Sequence, residues 1–142
     1  MKAMKVLLPV DGSVYTKRML AWLAAHDEVL DAQSSYTVLT VVPELPSHTG
    51  FFELGDPASY YKSCAEEVLQ PVRAFIAQQG WRASFEQRIG APAESIATAA
   101  TQGEFDLIVL GSHGRSALAN LVLGSVTTGV LARCKTPVLL IR

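Results

Sequence analysis

"KVLLPVDGS", Lys5 to Ser13, carries an unbroken apolar run from Val6 to Val10 and then breaks at Asp11. A strand with one face in water alternates apolar and polar positions, whereas a strand covered on both faces reads as a continuous apolar run. Two later stretches have the same character, YTVLTVV at Tyr36–Val42 and DLIVL at Asp106–Leu110. The sheet that holds all three is therefore expected to be parallel and covered on both sides. Pro9 lacks a ladder donor and stands two residues before Asp11, so it should end the pairing of the first strand.

Working outward, five short runs rich in β-branched residues mark strands at Met4–Val10, Tyr36–Val42, Phe85–Ile89, Leu107–Leu110 and Pro137–Ile141. Four stretches of helical period lie between them, at Ser13–Leu30, Pro57–Gln79, Pro92–Thr101 and Ser125–Arg133. Ser13 is placed to cap the first, and Gly80 to end the second. Strictly alternating strand and helix means an α/β fold, an open sheet with helices on both faces reached by right-handed crossovers. Such sheets take ligands beyond the carboxyl ends of their strands, where chain order reverses. The stretch Pro43–Asp56, PELPSHTGFFELGD, has no clear period and should form a long loop, suited to act as a lid, at that same edge.

The 142 residues fit one domain, 1–142, with 49% hydrophobic and 18% charged residues. A formal charge of −1 and a pI near 6.3, with no block of lysine or arginine, give no footprint for nucleic acid or anionic lipid. The apolar run after the basic start is too short for a signal peptide or a membrane span, and a cytoplasmic protein is expected. Cys64 and Cys134 show neither a CxxC nor a Cys/His spacing, so they read as reduced thiols, and no metal site is indicated. His26 and His48 have no recognisable partner.

The fourth strand runs straight into GSHGRSALANLVLGS, Gly111–Ser125. Glycine at a strand end permits positive φ and close backbone approach, and successive N–H groups in such a turn can cradle an anion. Gly124 and Ser125 stand at the start of the last helix, where free N–H groups and the dipole favour negative charge. Nine residues between the two glycine clusters allow the chain to go out and return, so both clusters face one crevice suited to phosphates. Each pair alone could equally be a geometric turn or a helix start. The Walker A pattern and the GxGxxG of dinucleotide-binding folds are both absent.

GSHGRSALANLVLGSV resembles the G-2x-G-9x-G-(S/T) signature of the ATP-binding universal stress proteins, and the likeness runs from VLLPVDGS to TPVLLIR. That resemblance implies a five-stranded parallel sheet of order 3-2-1-4-5, akin to the adenine nucleotide alpha-hydrolase fold, with ATP across the carboxyl ends of strands 1 and 4, with or without magnesium. It implies that Pro9, Val10 and Asp11 lie near adenine and ribose, and that Val41 or Val42 lines the adenine pocket. Gly111, Gly114 and Arg115 would surround ribose and phosphates, and Gly124, Ser125 and Val126 would hold the phosphates. His113 joins this set as a loop residue beside the nucleotide, with general-base chemistry a minor alternative. Asp11 could instead cap the first helix, Ser125 could be both cap and phosphate donor, and Arg115 could pair with a surface acid. GAPAESI at Gly90–Ile96 resembles the structural turn after strand 3, and Gly129 inside the last helix departs from the family pattern.

The expected function is an adenine-nucleotide-binding stress-response and signalling module rather than an enzyme. The rivals are a slow ATPase of the same fold and a relative that no longer binds nucleotide. An ATP pyrophosphatase would carry SGGxDS where PVDGSVYT stands; a response regulator needs an acidic cluster after strand 1, and a flavodoxin a Thr-rich phosphate loop there. The resemblance also implies a homodimer through antiparallel pairing of the C-terminal strand, residues 137–142, an unpaired apolar edge. Replacing Leu139 and Ile141 by lysine would then be expected to give monomers.

Overall fold

The computed structural model describes residues 3–46, 56–113 and 123–142. Five strands, β1 Lys5–Pro9, β2 Ser35–Val42, β3 Ala83–Ile89, β4 Leu107–Gly111 and β5 Val138–Ile141, form one parallel sheet of order β3-β2-β1-β4-β5. Four helices connect them, α1 Val14–Ala25, α2 Pro57–Gln79, α3 Pro92–Gln102 and α4 Ser125–Arg133. Fold class and strand order are as expected, and α2 and α4 have the boundaries expected from the sequence.

The unbroken apolar runs are explained by two buried layers. Val6, Leu8, Val10 and Val38 pack with Met19, Leu20 and Leu23 of α1 and with Leu69, Val72 and Ile76 of α2. Their strand neighbours Leu7, Leu39, Ile108 and Leu110 pack on the other face against Ile96, Ala99 and Ala100 of α3 and Val130 of α4. The three central strands, β2, β1 and β4, thus spend both of their side-chain rows in core.

The helix ends follow local chemistry in part. Ser13 caps α1, its hydroxyl accepting from the Tyr15 N–H at 3.2 Å. Gly80 ends α2 in the left-handed region at φ 70°, and Pro92 opens α3 in its first turn. The first helix stops at Ala25, five residues short of Leu30, because the chain turns at His26–Asp31 and buries Leu30 from that turn. Pro71 stands inside α2 on its exposed side without breaking it.

Two further expectations are corrected, and the departure at Gly129 is explained. Pro9 ends pairing on one side only: it stands in register with Leu39, and the Val10 N–H donates to the Leu39 carbonyl at 2.9 Å. Gly129 leaves α4 continuous, and a Cβ there would meet the Ala93 Cβ at 2.5 Å, so the glycine lets α4 approach α3. Ile141 is 6% exposed within the α1/α2 core and Leu139 packs against it, so lysine at these positions tests folding rather than assembly.

The Gly129 contact gives an expected result opposite to helix propensity. Gly129→Ala gains about 1 kcal/mol of intrinsic helicity, yet overpacking against Ala93 costs roughly 1–3 kcal/mol. Chemical denaturation should show a net loss in the single variant and recovery when Ala93→Gly is added. A more stable single variant would mean that the two helices separate freely.

Candidate functional site

The sheet opens between β1 and β4. Pairing there is confined to Val6↔Leu107 and Leu7↔Ile108, whereas β1 keeps its register with β2 to Pro9↔Leu39. Since the Val10 N–H points to β2 and successive N–H groups alternate sides, the donor that Pro9 lacks falls on the β4 side. Proline therefore sits where the two strands part, at the point of reversed chain order expected to take a ligand.

Beyond Pro9 the turn into α1 is built on Asp11. Its Oδ1 accepts from the Ser13 N–H at 2.9 Å and from the Thr16 hydroxyl at 3.0 Å, and the Asp11 N–H donates to Thr16 Oγ1 at 3.1 Å. Between them Gly12 takes φ 79°, which lets the chain reverse so tightly. The cap of α1 is Ser13 rather than Asp11, which instead braces the turn ahead of the helix, and these bonds fix its carboxylate at the cavity wall.

On the β4 side the strand runs further than expected. Gly111 is extended and paired with Ile141, and the Ser112 N–H donates to the Ile141 carbonyl at 2.9 Å, so that amide belongs to the sheet rather than to an anion nest. A Cβ on Gly111 would lie 2.9 Å from the Tyr15 Cβ and 3.2 Å from the Tyr15 carbonyl, so this glycine admits α1 against β4. The His113 ring lies beside Tyr15 at 5.2 Å between centroids, and its Nδ1 is 3.0 Å from Ser112 Oγ. Gly114 and Arg115 lie outside the described residues.

The chain does return beside its point of departure. The Gly124 N–H donates to the Ser112 carbonyl at 2.7 Å, and the Thr127 hydroxyl to the Gly111 carbonyl at 3.1 Å. Gly124, rather than Ser125, is the N-cap of α4, and no side chain caps the helix. Helix geometry leaves the first-turn N–H groups of Ser125, Val126 and Thr127 without intrahelical partners, and these three residues line the cavity. The first intrahelical bond seen is Thr128 N–H to the Gly124 carbonyl at 3.1 Å.

Pro9, Val10, Asp11, Val41, Val42, Gly111, His113, Gly124, Ser125 and Val126 all line one cavity of about 690 Å³. Its size is that of a small-molecule site. Val41 packs toward the α3/α4 layer and Val42 toward α2, so the cavity wraps around the carboxyl end of β2 and meets both faces of the sheet. Sequence reasoning missed Thr16, Thr40 and Thr127, all buried, and the α2 residues Tyr60, Cys64 and Val68. The Tyr60 phenol is held above its ordinary range first by its hydrogen bond with Cys64. Among the described residues no three His, Cys, Asp or Glu side chains are placed to hold a metal ion, and no helix is long and apolar enough to cross a membrane.

The family model described as the universal stress protein family matches residues 2–142. The universal stress protein in the QAH/OAS sulfhydrylase 3′ region of Thermus aquaticus is 34% identical over 96% of this chain and 97% of its own length. Universal stress protein Slr1230 of Synechocystis is 29% identical over 97% of this chain, which spans 42% of that protein. Among solved structures, universal stress protein UspA from Lactobacillus plantarum superposes with a TM-score of 0.80 at 25% identity over the full length of both chains. A universal stress protein in complex with cAMP gives a TM-score of 0.71 at 20% identity over 99% of each chain. An Arabidopsis thaliana family protein with AMP bound gives 0.70 at 17% identity, over 97% of this chain and 90% of that one.

Proposed function

The chain belongs to the universal stress protein family, and from that premise we propose that it is an adenine-nucleotide-binding module of stress signalling, with ATP as its ligand. One observation carries the reading. The uncapped N-terminus of α4 and the parted ends of β1 and β4 face a single cavity whose lining is mostly apolar. Backbone amides and a helix dipole suit phosphate oxygens, and Pro9, Val41 and Val42 suit a flat base. Relatives of this fold in complex with cAMP and with AMP support adenine as the base. The two free cysteines fit a reducing compartment, and we place the module in the cytoplasm.

Calorimetric titration with ATP, ADP, AMP and cyclic AMP, each with and without magnesium, tests this reading. Binding heat with ATP is the expected result; silence with every adenine nucleotide would overturn it. Phosphate release during the same incubation would favour the slow-ATPase alternative, for which Asp11 and Glu44 are the carboxylates that line the described cavity.

The second part of the proposal is a homodimer through β5. Among the described residues the strand pairs with β4 alone, so its outer side is an unpaired edge.

A further inference from the structure

The turn between β1 and α1 closes on a reciprocal pair of bonds between two residues of the cavity wall, Asp11 and Thr16. The Thr16 hydroxyl donates to Asp11 Oδ1 at 3.0 Å, while its oxygen accepts from the Asp11 N–H at 3.1 Å. One hydroxyl thus holds both the backbone and the side chain of Asp11. The Ser13 N–H, at 2.9 Å, is a second donor to the same Oδ1. Thr16 is 6% exposed and stands in the first turn of α1, and a β-branched side chain on a helix has few rotamers, so this clamp is stiff.

Strand order places Asp11 within the cavity. The carboxyl ends of the strands run β2, β1, β4 across the sheet. Val41 stands on the first and Pro9 on the second, while the N-terminus of α4 is bonded to the exit of the third through Gly124 and Thr127. With the base against Val41 and Pro9 and the phosphates on the α4 amides, the sugar that joins them spans the exit of β1, where Asp11 stands. The chemistry agrees, because a carboxylate only accepts hydrogen bonds: it suits hydroxyl donors and repels phosphate oxygens. The direction in which it is held therefore matters.

We propose that Thr16 is a positioning residue, which aims the Asp11 carboxylate at a sugar hydroxyl and so sets a preference for ribonucleotides over their deoxy forms. This rests on the nucleotide reading above. The Ser13 N–H alone would hold one carboxylate oxygen without fixing the plane of the group; the Thr16 hydroxyl, bonded to the side chain and to the amide of the same residue, fixes it.

The test is calorimetry on the full chain with ATP, 2′-deoxy-ATP and 3′-deoxy-ATP, in wild type, Thr16→Val and Thr16→Ser. Wild type should prefer ATP to at least one deoxy form by roughly tenfold, the loss expected for a hydroxyl that pairs with a charged group. In Thr16→Val that preference should fall by about threefold or more, and Thr16→Ser, which keeps the hydroxyl, should restore it. The ratio of two affinities on one preparation is the readout, because an unfolded fraction scales both alike, and a merely structural role for Thr16 would leave the ratio unmoved. Should valine leave too little folded protein to titrate, Thr16→Ala removes the same hydroxyl with less bulk and carries the same expectation. A wild-type preference retained without the hydroxyl, or a wild type that binds ATP and both deoxy forms equally, overturns this inference and leaves the nucleotide reading standing. Failure of wild type to bind any adenine nucleotide would overturn both.

Discussion

Gly124→Asp is expected to raise the melting temperature slightly while lowering ATP affinity by two orders of magnitude or more. Gly124 is the N-cap of α4 with φ −72° and ψ 163°, an extended conformation that an aspartate adopts without strain. Its carboxylate would accept from the first-turn N–H groups, and acidic caps of this kind contribute about 0.5–2 kcal/mol to a helix over residues that cannot bond there, though little over glycine itself. The same donors are those assigned to phosphate. Losing two charge-assisted bonds at roughly 1.5–3 kcal/mol each, with a fixed negative charge in their place, exceeds the ~2.7 kcal/mol that corresponds to a hundredfold change. Stability and binding must therefore move in opposite directions. Thermal melts without ligand and calorimetry with ATP check the two halves. A variant that is more stable and binds ATP as wild type does would remove α4 from the site.

The fold was legible because its three central strands are buried on both sides. Val6 to Val10 and Leu107 to Leu110 could not be mistaken for half-wet strands, and strand–helix alternation then left few topologies. The parting of β1 from β4 was legible only in outline. Pro9 could be recognised as a ladder-breaker, but the side it breaks depends on which neighbour the Val10 N–H meets. Glycines were visible as glycines while their reasons were not. Gly111 makes room for Tyr15 and Gly129 for Ala93, partners remote in sequence. The same holds for hydroxyls: nothing local distinguishes Thr16 and Thr127, which are tied to the turns, from Thr40, which opens on the cavity. Ser125 looked like a cap by residue type, yet the backbone places Gly124 in that position and so leaves the amides uncapped.

At the sheet edge, Leu140→Pro and Ile141→Lys should separate assembly from folding. The Ile108 N–H donates to the Pro137 carbonyl and the Ser112 N–H to the Ile141 carbonyl, so the odd positions of β5 face β4. Alternation then turns the backbone groups of Val138 and Leu140 outward. Proline at position 140 removes an outward donor and none from the β4 ladder, which is where edge strands tolerate it. If the proposed dimer forms through β5, light scattering should show its mass halved in this variant, with the circular dichroism retained. Ile141→Lys is different in kind, because it puts an ammonium into the core beside Val109 and α1. Burying an unpaired charge and losing the isoleucine together cost about 4–5 kcal/mol or more, a large share of the roughly 5–15 kcal/mol that holds a domain folded. That variant should lose its cooperative melt rather than dissociate into folded monomers. A folded Ile141→Lys protein would show that β5 is dispensable to the core, and a Leu140→Pro protein of unchanged dimer mass would move the interface to another surface.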